Sequence, residues 1–554
     1  MASPTDATLR RGNSRLPFDI LHRVFNEMAQ PNQRLCDALS PKATIRMEYT
    51  FRDMGDPYEL AATLGQVCTS WRDAVLDTPR LWALIVIRPN FLWSFVSVRR
   101  EYGYPETSIQ RLRQWIERGR ETPRTLIIDL RFGMVPGGWF DLEVAVPKMV
   151  NVIKMMFKEI TSVLKYWKSV HLEAENDPFA QVVLGELRIA AGAPSLERLA
   201  ISFPYGLHGS LQGSQGWLPF QGDVPKLKLL TLQNVRLDWR STELFRSLIS
   251  LSLTYSDSME DSWVSQCMPP YQQVFEALSH AEKLSSLVFD GFVPQMSAAP
   301  ELSAMTTLRL PALKSLDLKY VSPSDSVEFG QYLPFNTLRR LGLWLFIRPE
   351  HRNEETGPEA SDCTEFVQMV SPDPDNNFEP EPWHDLSQLR YLTVYSIKCD
   401  EEDMILLFKT LTQLTHLETA TTIVLRMLLI PMRQFTSEDD AVMQGQPKPL
   451  GYVPPFPLPK LRYLRASGSG SSPEVSYKEA SIALAKGLTF RVKMGCQILR
   501  QVIVEPSTES NMYYHIDELP LEGYTEHLDN WLLWEGFRDE HELGLVGRDE
   551  IEQV

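Results

Sequence analysis

The chain has 554 residues, 55 basic and 71 acidic, for a net charge of −16, with 43% apolar and 23% charged side chains. That composition supports a packed core and excludes disorder throughout, and the length allows three to four domains, or fewer if one is a repeat array. The acid excess argues against nucleic-acid binding, which needs a clustered basic face.

The acidity is concentrated in two places. Pro349–Asp385 holds eleven acids and one base, and Glu505–Val554 holds fourteen and two, which leaves about +6 for the remainder. Both segments read as solvated charge. The six cysteines (Cys36, Cys68, Cys267, Cys363, Cys399 and Cys496) include no C-x-x-C pair, so neither a disulfide framework nor a zinc site is expected. No Asn-x-Ser/Thr acceptor occurs, and Met1–Arg11 is polar, unlike a signal peptide. Leu81–Val98, the best candidate for a membrane span, is broken by Arg88, Pro89 and Asn90, too early to cross a bilayer. The expectation is an intracellular protein, cytoplasmic or nuclear, with no membrane partner.

After residues 1–13, read as disordered, Leu16 and Pro17 precede Ile20, Leu21, Val24, Phe25 and Met28, whose spacing stripes one side of a helix. Pro17 suits the first turn, and Asp19 suits the positive end of the helix dipole. Leu60, Leu64, Val67, Cys68, Trp71 and Val75 repeat the helical spacing, and Asp77-Thr78-Pro79 then turns the chain into Leu81-Trp82. Helices this short cannot bury their apolar faces alone. Residues 88–121 read as a helical linker.

From about Thr122 onward Leu-x-x-Leu-x-Leu recurs. Clear copies begin at Leu196, Leu227, Leu248, Leu284, Leu313, Leu338 and Leu389, and weaker ones at Trp167, Leu414, Leu461 and Leu499. The alternation predicts short strands with one buried face. Helical stretches fill the gaps, as at Tyr271–Ala281 and Asp403–Leu411. From Leu196 to Leu499 the intervals between first leucines run from 21 to 51 residues, against about 20–29 in leucine-rich repeats, so several units carry insertions. The fold class expected is α/β: a short all-α module followed by a leucine-rich-repeat solenoid over 122–505, parallel strands on the concave side and helices on the convex side. Three residues after each repeat, where Asn or Cys usually supports the turn, stand Val235, Phe292, Val321, Phe346 and Ile397. Apolar packing and backbone pairing are therefore expected to hold the turns.

Two insertions interrupt the array. Pro349–Asp385 contains SPDPDNNFEPEP and reads as disordered, while Pro431–Pro459 ends in GYVPPFPLP and reads as an extended connector. Residues 506–554, with EHLDNWLLWEGF, read as an acidic C-terminal cap or tail.

The N-terminal residues resemble a known family. LPFDILHRVFNEM, LGQVCTSWRDAV and TPRLWALI, in that order, are similar to the F-box of basidiomycete-type fungal F-box proteins with divergent leucine-rich repeats. The resemblance covers residues 14–87, with an insert at 29–59 that departs from the usual pattern. It implies docking to the Skp-type adaptor, and through it the cullin ligase core, by Leu16, Pro17, Ile20, Leu21, Val24, Phe25, Leu64, Val67, Cys68, Trp71, Leu81 and Trp82. For Leu64 and Cys68 a core role is as strong an expectation as contact.

No P-loop, G-x-S-x-G or H-E-x-x-H motif occurs, and Gly468–Ser472 lacks the lysine and acid of a nucleotide site. No cofactor, metal or catalysis is expected. The function implied is recruitment of an unknown protein substrate to an SCF-type ubiquitin ligase; the alternative is a non-ligase interaction scaffold whose F-box-like helices cap the solenoid. Side chains alternating with the buried leucines should line the concave surface: Thr231, Gln233, Ser252, Thr254, Asp290, Asp317, Lys319, Trp344, Thr393 and Tyr395. Trp344 and Tyr395, with Lys319, are the expected substrate contacts, because large aromatics dominate protein interfaces.

Overall fold

A computed structural model describes residues 17–38, 57–88, 105–131, 142–174, 177–204, 216–255, 268–291, 294, 308–321, 323–344, 361–371, 384–395, 397–399, 401–419, 428, 435–467, 491–497 and 500–505. The chain divides into two compact units, Met1–Leu313 and Lys314–Val554. Both are α/β with parallel main sheets.

The first unit opens with helices α1 (Phe18–Ala38), α2 (Pro57–Val67) and α3 (Thr69–Leu76) and a 3-10 turn, Pro79–Trp82. The Pro17 carbonyl accepts the N–H groups of Ile20 and Leu21, so the proline starts the helix at a position where its missing donor costs nothing. The spacing from Leu60 to Val75 predicts continuous helix, but the chain breaks at Cys68, whose backbone is extended (φ −164°, ψ 173°). Trp82 anchors the turn by donating its indole N–H to the Val75 carbonyl.

Seven strands follow: β1 (Leu84–Ile87), β2 (Arg124–Leu130), β3 (Trp167–Ala174), β4 (Arg198–Ser202), β5 (Leu229–Gln233), β6 (Ser250–Thr254) and β7 (Ser286–Asp290). Each pairs in parallel with the next. Helices α4 (Pro105–Gly119), α5 (Leu142–Thr161), α6 (Asp177–Ile189) and α7 (Tyr271–Ser279) lie between strands in the chain. The sheet thus begins at Leu84, ahead of the expected 122, and α4 is the crossover of a β-α-β unit instead of a linker. Its Trp115 donates to the Leu84 carbonyl and stacks edge-on against Trp82 at 4.6 Å. β1 is not legible in the sequence, because a four-residue apolar run has no visible period.

The second unit holds a parallel sheet of β8 (Ser315–Lys319), β9 (Arg340–Trp344), β11 (Tyr391–Tyr395), β13 (His416–Thr419), β14 (Tyr463–Ser467) and β15 (Gln501–Glu505), paired in that order. A small parallel pair joins β10 (Ser361–Asp362) to β12 (Ile397–Lys398). Helices α8 (Pro323–Gly330), α9 (Thr364–Val370), α10 (Glu401–Thr410) and α11 (Ser437–Met443) complete it. Phe366 and Val367 of α9 and Leu407 and Phe408 of α10 pack on the face of the sheet that carries Leu341, Leu343, Leu392 and Val394.

The repeat leucines align strand to strand. Leu230, Leu251 and Leu287 share one row of the first sheet, and Leu316, Leu341, Leu392 and Leu417 one row of the second, all buried. Each repeat also starts three residues earlier than its first leucine. The N–H groups of Leu196, Leu227, Leu313 and Leu461 donate to Ala193, Val224, Leu310 and Leu458, each buried and each followed by proline. Proline presets φ for that turn position, so the full unit reads apolar-x-x-Leu-x-x-Leu-x-Leu.

Two polar links supplement the apolar packing expected at the turns. Buried Asn234 (φ +57°) donates its side-chain amide to the Phe203 carbonyl at 2.6 Å, and the Tyr255 hydroxyl donates to the Val235 carbonyl at 2.9 Å. Each ties one strand end to the preceding turn.

The insertions are corrected in part. Residues 361–371, inside the stretch read as disordered, form β10 and α9, with Phe366, Val367 and Val370 buried. Within the stretch read as an extended connector, the buried Asp439 carboxylate accepts from the Thr436 N–H at 2.7 Å and hydroxyl at 2.9 Å. This caps α11, and Phe456 and Leu458 bury themselves nearby. The expected N-terminal segment 1–13 and C-terminal segment 506–554 lie outside the described residues.

Candidate functional site

The N-terminal helices sort the expected adaptor contacts into two groups. Leu21 and Phe25 point inward from α1, with Phe25 edge-on to Trp71 at 5.3 Å, and Leu64, Leu81 and Trp82 are also buried. These residues build the module and offer little surface to a partner. Pro17, Ile20, Val24, Val67 and Cys68 are exposed, and Trp71 is half-buried. Leu16 lies outside the described residues. Phe18 and Met28 join the exposed set. Ile20, Val24 and Met28 recur every four residues, so they form one stripe along α1.

In the second unit the side chains between the leucines emerge on the opposite sheet face. Lys319, Trp344 and Tyr395 occupy matching positions on β8, β9 and β11, although 50 residues of chain separate the two aromatics in sequence. The rings stack at 5.6 Å with an interplanar angle of 14°, and the Lys319 ammonium sits 4.6 Å from the indole centroid, a cation–π geometry. All three are half-buried. The Tyr395 hydroxyl donates to Glu418 at 2.6 Å, and Arg465 pairs with Glu418 at 3.5 Å, so one polar–aromatic chain crosses five strands. Gly342 permits it, because a Cβ there would collide with both the Trp344 ring and Asp317.

Glu418, Arg465 and Gly342 are absent from the sequence-derived contacts. So is a second stack, in which His416 lies 4.1 Å from both Tyr391 and Tyr463. The signal was present: each of these three residues directly precedes the middle leucine of its repeat.

In the first unit, His171 on β3 lies between Ile127 on β2 and Ala200 on β4. It is buried, its Nε2 is 2.9 Å from the Ser169 hydroxyl, and its Nδ1 has no hydrogen-bond partner among the described residues. Burial, aided by the Arg198 cation, pushes its pKa down to about 4. Its folded pKa therefore lies below the unfolded value near 6.5, so the unfolded chain takes the proton first. Its stabilising contribution is complete above pH ~6.5 and is lost as the pH falls towards 4. At pH 5 that loss is on the order of 2 kcal/mol. Urea titrations at pH 7 and pH 5 check this: His171→Gln should shrink the stability difference between the two pH values by about that amount, and an unchanged difference would refute the assignment.

Among the described residues no group of three or more His, Cys, Asp or Glu side chains is placed to hold a metal ion. No described helix is long and apolar enough to cross a membrane. No protein-family model matches the chain, and comparison with curated proteins finds no match.

Proposed function

We propose that this protein is the substrate-recognition adaptor of an SCF-type E3 ubiquitin ligase. In this reading α1–α3 form an F-box that docks the Skp-type adaptor, the parallel units are leucine-rich repeats, and the sheet face carrying Lys319, Trp344 and Tyr395 receives a substrate protein. The protein does no chemistry of its own; it holds the substrate close to a ubiquitin-charged enzyme and raises the effective concentration.

The observation that carries this reading is the exposed apolar stripe. Ile20 and Val24 are 44% and 42% exposed on a helix whose inner side is already filled by Leu21 and Phe25. A contiguous apolar patch with no role in its own core marks an interaction surface.

Ile20→Asp with Val24→Asp should weaken co-purification with the Skp-type adaptor at least about thirtyfold, the equivalent of one lost hot-spot residue. The melting temperature should change little, because both side chains lie on the exposed side of α1. Undiminished adaptor binding by this variant would leave the non-ligase scaffold as the better reading.

A further inference from the structure

The second sheet carries a row of cations that the substrate surface above does not use. The residue that follows the first leucine of each repeat is Lys314, Arg339, Arg390, Thr415, Arg462 and Arg500 along β8, β9, β11, β13, β14 and β15. Their alignment is held by the backbone: the Arg339 N–H donates to Lys314 O, Arg390 to Arg339, Thr415 to Arg390, Arg462 to Thr415 and Arg500 to Arg462, at 2.7–2.9 Å. Neighbouring strands lie about 4.8 Å apart, so the row runs about 24 Å. Lys314, Arg390 and Arg500 are exposed, and Arg339 and Arg462 half-buried.

None of the five cations has a carboxylate partner among the described residues. Two are instead oriented by neutral acceptors: Arg339 donates to the backbone and side-chain oxygens of Gln388 at 2.9 and 2.8 Å, and Arg462 to the Gln497 side chain at 2.7 Å. A carboxamide fixes the direction of a guanidinium without neutralising it, which leaves the remaining N–H donors aimed and charged. The same position in the first unit holds Lys168, Glu197, Lys228, Ile249 and Ser285, where Lys228 pairs with Glu197 at 3.4 Å. The fold therefore does not require cations here. The next residue along three of these strands belongs to the Tyr391–His416–Tyr463 stack.

We propose that this row binds an extended protein segment bearing closely spaced anionic groups, carboxylates or phosphates, laid across the strands. A span of about 24 Å accommodates about seven extended residues at ~3.3 Å each. Arginine forks suit both carboxylate and phosphate. The net charge of −16, which the two acidic segments carry, disfavours a nucleic-acid backbone through long-range repulsion. The inference stands on the second unit alone and needs no adaptor, so it can fail or succeed independently of the ligase reading.

The test is fluorescence anisotropy with the purified full-length chain and labelled peptides of about twelve residues. One is rich in Asp and Glu with two phosphoserines, one is the same peptide unphosphorylated, and one has Gln and Asn in place of every acid. The two acidic peptides should bind and the neutral one should not; their ratio tells whether phosphate or carboxylate is preferred. R390Q/R462Q/R500Q should weaken acidic-peptide binding by about tenfold or more, whereas K168Q/K228Q should not. If the triple arginine variant fails to fold, R390K/R462K/R500K and a salt titration take its place, with weaker binding by the lysine variant and loss of binding at high salt expected. Equal binding of the neutral peptide, binding untouched by these arginine variants or by salt, or tighter binding of a single-stranded DNA of matched charge would each overturn the proposal.

Discussion

Leu251→Ala should destabilise the first unit by on the order of 2–5 kcal/mol. Leu251 is fully buried and lies in register between Leu230 and Leu287, themselves fully buried. Truncation leaves a void that the neighbours are poorly placed to fill. Parallel ladders on both sides of β6 hold the backbone, and the Asn234 and Tyr255 links tie adjoining strand ends to the turns before them. The cost depends on how far a site can collapse, and this one is braced against collapse. Thr254→Ala on the same strand is the control: Thr254 is half-buried on the other face, and its loss should stay within about 0.5 kcal/mol. Urea unfolding of the two variants decides it, and similar losses would show that the leucine row is not the centre of the core.

Phe25→Ala should cost the N-terminal helices about 3–5 kcal/mol. Phe25 is fully buried and edge-on to Trp71 at an interplanar angle of 70°, an arrangement that adds an aromatic contribution to the burial itself. A module of three short helices has few such anchors, so the loss should appear as local opening. Hydrogen exchange over residues 17–38 and 57–76 should speed up, while exchange in the strands of the second unit should not change. Ile20→Asp, one turn away on the exposed side, should leave exchange in the same helices unaltered. Matching behaviour of the two variants would mean that the sorting of α1 into inner and outer residues is wrong.

The strands were legible because their period is short. In a strand of period two, leucines at matching positions must share a face; Leu230 and Leu251 do so in the first sheet, and Leu316 and Leu392 in the second. The hidden strands are those whose pattern is erased by burial on both faces, as in the apolar runs Leu84–Ile87 of β1 and Leu126–Ile128 of β2. Composition misled in the insertions for a related reason. Acid and proline content describes an average over a segment, whereas α9 depends on a few side chains, Phe366, Val367 and Val370, finding a sheet to cover.

The amino-acid sequence by itself determined the α/β class, the leucine-marked strands and the apolar side of α1, because each follows from spacing along the chain. Spacing did not decide which of two neighbouring apolar residues faces out. Ile20 and Leu21 are both strongly apolar, yet one is 44% exposed and the other 2%, because the packing of α3 on α1 selects one side of the helix. Spacing puts the cations and the stacked aromatics at fixed positions of the repeat, but it does not show which of them touch. Arg339 and Arg390 stand 51 residues apart in the chain and become neighbours only when β9 and β11 pair. That register is set by backbone hydrogen bonds, which every sequence carries and no sequence displays.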